Sequence, residues 1–356
     1  MSKVGRTTFL VIAGMLVVFV LAVWAMLDSI DRRFRPPCLD TVPEAPDGAF
    51  ADMTFELLED ETGYDIRYDD GSVMRIFGPS PDAFVEPKDY RIASTLPGIT
   101  EMLAYLGAAD RLVAVSPWCD VPADAPDPRK VTVQPFDAEG FLAARPNLVI
   151  VDRRLHLRDL AEIRRRVPNV LMLETSRSLP HLESSMHLLA QVLQPFGARE
   201  VPAESPRGRA RAFSARYDAV LAAIDPVWED GPPRVFLLAG WDPLYAMGPG
   251  SLLDDMLRIC GASNIACDLG TDASGTFSEE LVLARRPAWI LATTSAPMPD
   301  RMQQRWSQVP AIQQGRVAPA HVDDVVRGGP RILDALERLN AVLRGTQPPE
   351  HLGAMK

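Results

Sequence analysis

Near its carboxyl end the chain carries an acidic pair and a single arginine in the segment HVDDVVRGGP, which starts at His321. An arginine guanidinium offers a planar fork of N–H donors to carboxylates or amide oxygens, and an aspartate accepts hydrogen bonds from amide nitrogens. Asp323 and Arg327 are therefore a candidate polar pair for the edge of a ligand. The alternatives are an ion pair within the loop and a solvated turn before a helix.

The motifs that mark common enzyme classes are missing from this sequence. It has no G-x-S-x-G nucleophile elbow, no G-x-G-x-x-G after a strand, no P-loop lysine and no H-E-x-x-H pair. The segment GPGS before a helix could bind an anion through backbone amides, but a tight turn with a helix cap is the simpler explanation. The sequence therefore favours a binding protein over an enzyme.

Residues that ligate metals are scattered, and the sequence predicts neither a bare-metal site nor a cofactor for chemistry. The histidines are His156, His181, His187, His321 and His351, and the cysteines are Cys38, Cys119, Cys260 and Cys267. No C-x-x-C pair is present, so a zinc ribbon is not supported. Cys260 and Cys267 are close enough in sequence to form a disulfide in an exported chain, and buried free thiols are the alternative.

Two segments of the chain repeat one pattern of acid, proline and apolar strand. In EGFLAARPNLVIV, Glu139 precedes Pro146 by seven positions, and in ELVLARRPAWILA, Glu280 precedes Pro287 by seven positions. Because proline disfavours helical conformation in the residue before it, each helix should end there and place its glutamate in the first turn. Both acids are candidate docking points for a two-fold partner, and helix-start acids without a partner are the alternative.

Composition excludes some classes of function. The chain has 356 residues, 47% of them hydrophobic, a net charge of −10 and an isoelectric point of about 5.1. This length and composition suffice for two sizeable lobes, while the acidic balance argues against a nucleic-acid partner. The 32 prolines argue against long coiled coils.

The N-terminal run FLVIAGMLVVFVLAVWAML, at 9–27, is uncharged and long enough to span a bilayer. Lys3 and Arg6 precede it, as in a targeting segment. A signal peptide cut after Ala25 is the alternative, but the long apolar run and Trp24 beside the cut favour an uncleaved anchor. We therefore predict a single-pass membrane protein with its bulk on the extracytoplasmic side.

Strand and helix patterns alternate from Tyr90 onward, which predicts parallel βαβ units. Alternation around Asp69-Asp70-Gly71 predicts a β-hairpin before them. The fold expected is α/β, with two parallel-sheet lobes joined by a long connecting helix, after an N-terminal transmembrane helix. The expected divisions are an anchor at 1–27, a linker at 28–52, a β extension at 53–89, lobes at 90–180 and 231–345, a connecting helical segment at 181–230 and a tail at 346–356.

Three stretches together resemble the periplasmic binding proteins that deliver cobalamin, haem and iron-siderophores to ABC importers. They are RIASTLPGITEMLAYLGAADRLVAVSPWCDVP, GPGSLLDDMLRICGASNIA and VPAIQQGRVAPAHVDDVVRGGPRILDALERL. The similarity covers roughly Tyr90 to Arg344, and SEELVLARRPAWIL is most similar to the cobalamin-binding members. The resemblance implies two α/β lobes, one rigid long helix between them and a ligand held in the intervening cleft.

The resemblance also implies roles for individual residues. Glu139 and Glu280 fall on the acids that dock to arginines of the permease, with Glu279 adjacent to the second. The implied ligand-binding residues are Trp118, Phe136, Trp241, Tyr245, Asp323 and Arg327. A tryptophan can cover a flat tetrapyrrole face with apolar area. Two aromatics expected near Val133 and Ser274 are missing, and Phe136 and Phe277 are the neighbours that could replace them.

The function implied is that of a monomeric solute-binding component of an ABC importer, with a permease and an ATPase as partners. A corrinoid such as cobalamin is the ligand expected, with haem or a ferric siderophore as alternatives. A membrane-tethered sensor, or an enzyme on the same fold, is the alternative of another class.

Overall fold

The computed structural model describes residues 54–57, 63–67, 73–77, 87–120, 126–132, 137–152, 157–167, 169–173, 175–193, 201–270, 274–320, 325 and 327–348. Two β-sheets with flanking helices make up this part of the chain, so the predicted α/β class is confirmed. No helix within it is long and apolar enough to cross a membrane. The anchor predicted at 9–27 lies outside the described residues.

The first sheet has eight strands in the order β1-β2-β3-β8-β7-β4-β5-β6. The strands are β1 (Thr54–Leu57), β2 (Gly63–Arg67), β3 (Val73–Phe77), β4 (Ile92–Ser94), β5 (Leu112–Val115), β6 (Arg129–Lys130), β7 (Leu148–Asp152) and β8 (Asn169–Leu173). From β8 to β6 all neighbours are parallel, as the βαβ pattern predicts. Every residue of β7 is buried, as expected for a central strand covered on both faces.

The N-terminal β extension continues the first sheet. Strands β2 and β3 form the hairpin expected around Asp69-Asp70-Gly71, with Arg67 opposite Val73. Strand β3 then pairs antiparallel with β8, so that Ile76 lies opposite Leu171. The extension therefore covers the sheet edge that β8 would otherwise expose.

The second sheet has the order β12-β10-β9-β13-β14, and a short strand, β11, pairs with β9. Its strands are β9 (Arg234–Trp241), β10 (Leu244–Met247), β11 (Ser263–Asn264), β12 (Ser274–Thr276), β13 (Trp289–Ala292) and β14 (Val317–Pro319). Strands β9, β13 and β14 are parallel, whereas β10 is antiparallel to both β9 and β12. This sheet is therefore mixed: its parallel strands agree with the predicted βαβ pattern, whereas the antiparallel strand β10 was not predicted.

Ten α-helices connect or cover the strands in the described part of the chain. They are α1 (Pro97–Tyr105), α2 (Ala138–Ala143), α3 (Leu157–Arg166), α4 (Leu179–Leu193), α5 (Pro206–Ala223), α6 (Leu252–Ile259), α7 (Glu279–Arg285), α8 (Asp300–Arg305), α9 (Pro310–Gln313) and α10 (Ile332–Leu343). We call the first sheet with α1–α3 the first lobe, and the second sheet with α6–α10 the second lobe. Helices α4 and α5 lie between them in sequence, and α5 contains the predicted long connecting helix.

The two lobes share one hydrophobic core, which runs through α1, α4, α5, α6 and α10. Direct polar contacts reinforce it. The buried Asp255 carboxylate of α6 accepts from the Leu179 amide at the start of α4 at 2.8 Å. The Leu252 amide donates to the Ser176 carbonyl at 3.1 Å. A continuous core with buried polar contacts resists sliding or opening of one lobe against the other.

The disulfide state of the cysteines differs from the Cys260–Cys267 pairing that their spacing allowed. Cys119 and Cys260 are free, buried thiols, whereas Cys267 is disulfide-bonded. The pairing of Cys260 with Cys267 that their spacing allowed is therefore wrong. Burial in the shared core raises the pKa of the Cys260 thiol to about 12, so this sulfur stays protonated and unreactive.

Candidate functional site

Arg327, from the segment after β14, contacts two carboxylates of the first lobe. Its Nη1 lies 2.5 Å from Asp120 Oδ2 and 3.6 Å from Glu101 Oε1. The Arg327 and Glu101 side chains are only 14% and 12% exposed, whereas the Asp120 side chain is 73% exposed. Asp323, the predicted partner, lies outside the described residues. The guanidinium thus joins the end of the second lobe to the first lobe.

Glu101 of α1 also binds Arg331, which precedes α10. Arg331 Nε lies 3.1 Å from Glu101 Oε2, and Arg331 Nη2 contacts Glu101 Oε1, so the pair is bidentate. We call Glu101, Asp120, Arg327 and Arg331 the interlobe cluster. Its two carboxylates and two guanidinium groups balance in charge. The forked pair between Arg331 and the mostly buried Glu101 fixes the cluster. The solvent-exposed Asp120 contributes little to stability.

The backbone of the interlobe cluster is packed as closely as glycine allows. A Cβ at Gly98 of α1 would lie 1.7 Å from the Arg327 carbonyl oxygen. Gly328 has a φ of +56°, and a Cβ there would lie 2.2 Å from the Thr175 carbonyl oxygen. Both glycines are therefore required by close approach of the two lobes. They hold the Arg327 segment at a fixed position against α1.

Trp118 lies in the turn that follows β5, two residues before Asp120, and is 71% exposed. The turn is held from beneath by Cys119, whose sulfur lies 3.1 Å from the hydroxyls of both Thr100 and Ser116. Lys130 Nζ also donates to the Cys119 carbonyl at 2.5 Å. The exposed Trp118 indole therefore projects from a turn that hydrogen bonds fix beside the interlobe cluster. Its flat apolar face is available to cover a ligand.

Tyr245 is the outward-facing residue of β10 and is 37% exposed. Its neighbours in the strand, Leu244 and Ala246, face the core. Tyr245 lies opposite Gly240 of β9 and Thr276 of β12. Glycine at 240 leaves the surface beside the tyrosine ring open.

Two other aromatic residues that the sequence offered as ligand contacts are buried in the core of the second lobe. Trp241 is 6% exposed, its indole N–H donates to the Ala296 carbonyl at 2.8 Å, and its ring lies 6.1 Å from that of Trp306. Phe277 is 8% exposed and packs 5.4 Å from Phe236. These rings belong to the packing, and the structure does not bring them to the surface with Trp118 and Tyr245. Phe136 and His321 lie outside the described residues.

Glu139 and Glu280 occupy equivalent positions in the two lobes. Each is the second residue of its helix, α2 or α7, after a side-chain cap from Asp137 or Ser278, and each is exposed. The adjacent Glu279 differs, because it is largely buried and lies 3.1 Å from Arg305. Of these two adjacent glutamates, Glu280 is therefore the exposed one.

The repeat extends to the ends of these two helices. Arg145 and Arg286, each directly before a proline, both adopt left-handed backbone conformations, with φ of 52° and 47°. The αL residue ends the helix where proline could not continue it.

Trp118, Asp120, Tyr245 and Arg327 lie near the carboxyl ends of parallel strands. Trp118 and Asp120 follow β5, Tyr245 follows β9, and Arg327 follows β14. In α/β sheets ligands bind outside the carboxyl ends of the strands, so this edge is the expected binding position. Within the described residues, no group of three or more His, Cys, Asp or Glu side chains is arranged to hold a metal ion. The arrangement provides an aromatic surface and a polar cluster for binding.

Comparisons with known proteins identify the family of the chain. A family model for periplasmic binding proteins matches residues 92–321. The vitamin B12-binding protein of Pectobacterium atrosepticum is 27% identical over 257 residues, which cover 70% of this chain and 86% of that protein. An uncharacterized ABC transporter substrate-binding lipoprotein of Bacillus subtilis is 22% identical over 72% of this chain and 81% of that protein.

Solved structures share the fold. The vitamin B12-binding protein BtuF of Vibrio cholerae superposes with a TM-score of 0.60 at 24% identity, covering 73% of this chain and 98% of that one. The haem-binding protein HutB of Vibrio cholerae also gives a TM-score of 0.60, at 20% identity, over 71% of this chain and 98% of that one. These relatives are binding proteins and not enzymes, which confirms the prediction made from the missing catalytic motifs. The chain therefore belongs to the periplasmic binding protein family.

Proposed function

We propose that the protein captures a corrinoid of the cobalamin class between its lobes and delivers it to a membrane permease with its ATPase. The observation that carries the proposal is the exposed Trp118 beside the Arg327–Asp120 pair, at the carboxyl ends of the strands. The indole supplies a flat apolar surface, and the pair supplies donors and acceptors for the polar edge of the ligand.

The charge balance of the interlobe cluster favours an amide-bearing ligand over a carboxylate-bearing one. Arg327 already faces Asp120 and Glu101, so the cluster offers no surplus positive charge. Amide groups of a corrinoid can accept from Arg327 and donate to the exposed Asp120 carboxylate. Because the Asp120 pair is exposed, a ligand can exchange with it at small cost. Haem propionates would instead meet Asp120 as a like charge.

Delivery is proposed to use Glu139 and Glu280 as docking points for arginines of the permease. Their equivalent positions in the two lobes suit a partner with two-fold symmetry. The segment at 9–27 is proposed to tether the protein, as a monomer, on the extracytoplasmic side.

Haem is a second candidate, because Tyr245 presents a partly exposed phenol near the binding edge and tyrosine can ligate haem iron. Absorbance titration of the full-length protein in a non-ionic detergent, with cyanocobalamin and with haemin, tests both ligands. Stoichiometric retention of cyanocobalamin that survives Tyr245→Phe is the expected result. Retention of haemin alone, with a spectrum that changes in Tyr245→Phe, would replace the corrinoid by haem. Retention of neither would overturn the tetrapyrrole proposal.

A further inference from the structure

The second lobe contains a cavity of about 1230 Å³ at the end opposite to the candidate site. Arg234 begins β9, Trp289 begins β13 and Arg316 precedes β14, so the cavity lies at the amino ends of the strands. Tyr245 and Glu280 lie at the carboxyl ends. The eight residues of β9 span ~25 Å between the two ends, so a ligand in the cavity does not contact the candidate site.

Positive charge is concentrated in this cavity although the whole chain has a net charge of −10. Four arginines line it, and Asp230 is the acidic residue among the lining residues that the structure describes. The arginines are Arg234, Arg286, Arg316 and Arg344, and we call the cavity the arginine pocket. Its lining thus carries a surplus of three positive charges, four from arginine less one from Asp230.

Two of the guanidinium groups are held against tryptophan rings. The Arg344 guanidinium lies 3.8 Å from the Trp228 ring centroid, and the Arg316 guanidinium lies 5.3 Å from that of Trp289. Arg344 also donates to the Asp225 carbonyl. Stacking on an aromatic ring orients a guanidinium without neutralising its charge. Both groups are thereby preorganised to meet an anion.

Arg286 and Arg316 carry charges that no described carboxylate pairs with. Both residues are exposed. The left-handed backbone of Arg286 fixes the point from which its side chain leaves the chain. Arg234 is engaged differently, since its Nη1 donates to the Arg285 carbonyl at 3.5 Å.

The described residues of the first lobe do not repeat this arrangement, although they repeat the local sequence pattern. Its equivalent of Arg234 is Arg91, whose Nε and Nη2 donate to the carbonyls of Arg145 and Ala144 at 3.0 and 2.8 Å. Its equivalent of Trp289, two positions after the proline, is Leu148. The aromatic and cationic lining is therefore a property of the second lobe and not of the repeated fold.

We propose that the arginine pocket is a second binding site, separate from the candidate site, for a multivalent oxyanion with phosphate chemistry. Guanidinium groups bind phosphate through paired N–H donors, and several in one cavity select an anion with more than one negative charge. A soluble polyphosphate and the phosphate of a lipid headgroup share this chemistry.

Isothermal titration calorimetry of the full-length protein with pyrophosphate tests the proposal, at low and at physiological ionic strength. One site is expected, weakened by about tenfold or more in the double variant Arg286→Asn, Arg316→Ala. Asparagine is used at 286 because it tolerates the left-handed backbone. The matched control is Arg129→Ala, Arg211→Ala, which removes the same charge from exposed positions elsewhere.

A second titration, with dihexanoyl phosphatidylglycerol below its micelle concentration, distinguishes the two sources of phosphate. Binding of either probe that depends on Arg286 and Arg316, but not on the control pair, supports the site and identifies its source. Binding of neither probe, or equal weakening in both double variants, overturns it. Cyanocobalamin binding is expected to be the same in both variants, so this result is independent of the corrinoid proposal.

Discussion

Arg327 and Asp120 are 207 positions apart in sequence, yet their side chains are 2.5 Å apart. Arg327 follows the last strand of the second sheet, and Asp120 follows a strand of the first. The contact therefore closes the end of one lobe onto the other beside the exposed Trp118. Because Glu101 is only 12% exposed and Asp120 is 73% exposed, the guanidinium is anchored on one side and reaches solvent on the Asp120 side.

Replacing Arg327 by lysine tests the need for a forked donor. Lys keeps the charge but loses the paired N–H geometry, so we expect cyanocobalamin affinity to fall about tenfold. Equilibrium dialysis measures the affinity. Arg216→Lys is the control, because Arg216 is an exposed arginine paired with Asp334 away from the candidate site. Unchanged affinity in Arg327→Lys, or an equal loss in Arg216→Lys, would contradict the assigned role.

Trp118→Ala separates ligand contact from folding. The side chain is 71% exposed, so its loss should change the free energy of unfolding by no more than about 0.5 kcal/mol. If the indole covers the ligand, cyanocobalamin affinity should fall about tenfold. Val227→Ala, an apolar residue 70% exposed in another part of the chain, should change neither quantity. A Trp118 variant that binds normally would remove this residue from the site.

The two exposed glutamates predict specific contacts with a membrane partner. A photo-cross-linking amino acid placed at position 139 or 280 of the full-length protein should attach to the same multi-span membrane protein. Position 229, an exposed glutamate at the other end of the second lobe, should not. Cross-linking from only one of the two positions, or equally from position 229, would rule out symmetric docking.

The conservative variants Glu139→Gln and Glu280→Gln extend this test to charge. Each should weaken docking about tenfold, because each removes one exposed carboxylate that the permease arginines would meet. Glu279→Gln should leave docking nearly unchanged, since Glu279 is occupied by Arg305 at 3.1 Å. Docking can be measured by retention of the labelled protein on membranes that contain the cross-linked partner.

Gly98→Ala tests the close approach that positions Arg327. On helix propensity alone, alanine at this position in α1 would stabilise the protein by about 1 kcal/mol. The added Cβ would, however, lie 1.7 Å from the Arg327 carbonyl oxygen, and we expect a net loss of about 3 kcal/mol in urea unfolding. Gly270→Ala is the control, because an added Cβ there would have no atom within 4 Å. It should change the free energy of unfolding little. A stabilised Gly98 variant would mean that the lobes separate at little cost.

The free energy of unfolding should depend on pH because of His187, whose side chain lies between helices α4 and α5. His187 Nε2 lies 2.7 Å from Ser214 Oγ, and that hydroxyl donates to Glu183. Burial, followed by the nearby Arg211 charge, lowers the pKa of His187 below its ordinary 6.5. The unfolded chain therefore takes up this proton first, and stability is lost as pH falls through 6.5.

His187→Gln should remove that loss while retaining a hydrogen-bonding group. Burial raises the pKa of Glu183, which acts in the opposite sense, with stability falling as pH rises above 4.5, and this contribution is present in both proteins. Urea unfolding between about pH 8 and pH 5 should show the wild type losing stability relative to the variant on acidification. Parallel pH curves would show that His187 does not titrate in this window.

The sequence by itself determined the features that depend on neighbours along the chain. Alternation of strand and helix predicted the α/β class, and the acid–proline spacing predicted the helix starts of Glu139 and Glu280. Caps, prolines and left-handed residues act within one helix turn, so their effects can be read from short segments. The resemblance to binding proteins rested on the same kind of local pattern.

Tertiary structure alone decided which side chains meet and which face solvent. Trp241 and Tyr245 are four positions apart, but strand pairing buries the first against Trp306 and exposes the second. Cys260 stays a free thiol in the shared core although Cys267 is close in sequence. The partners of Arg327 come from the other lobe, because packing of the lobes and not sequence spacing sets distances between remote residues. Long-range contacts of this kind depend on the whole core, and no short segment contains that information.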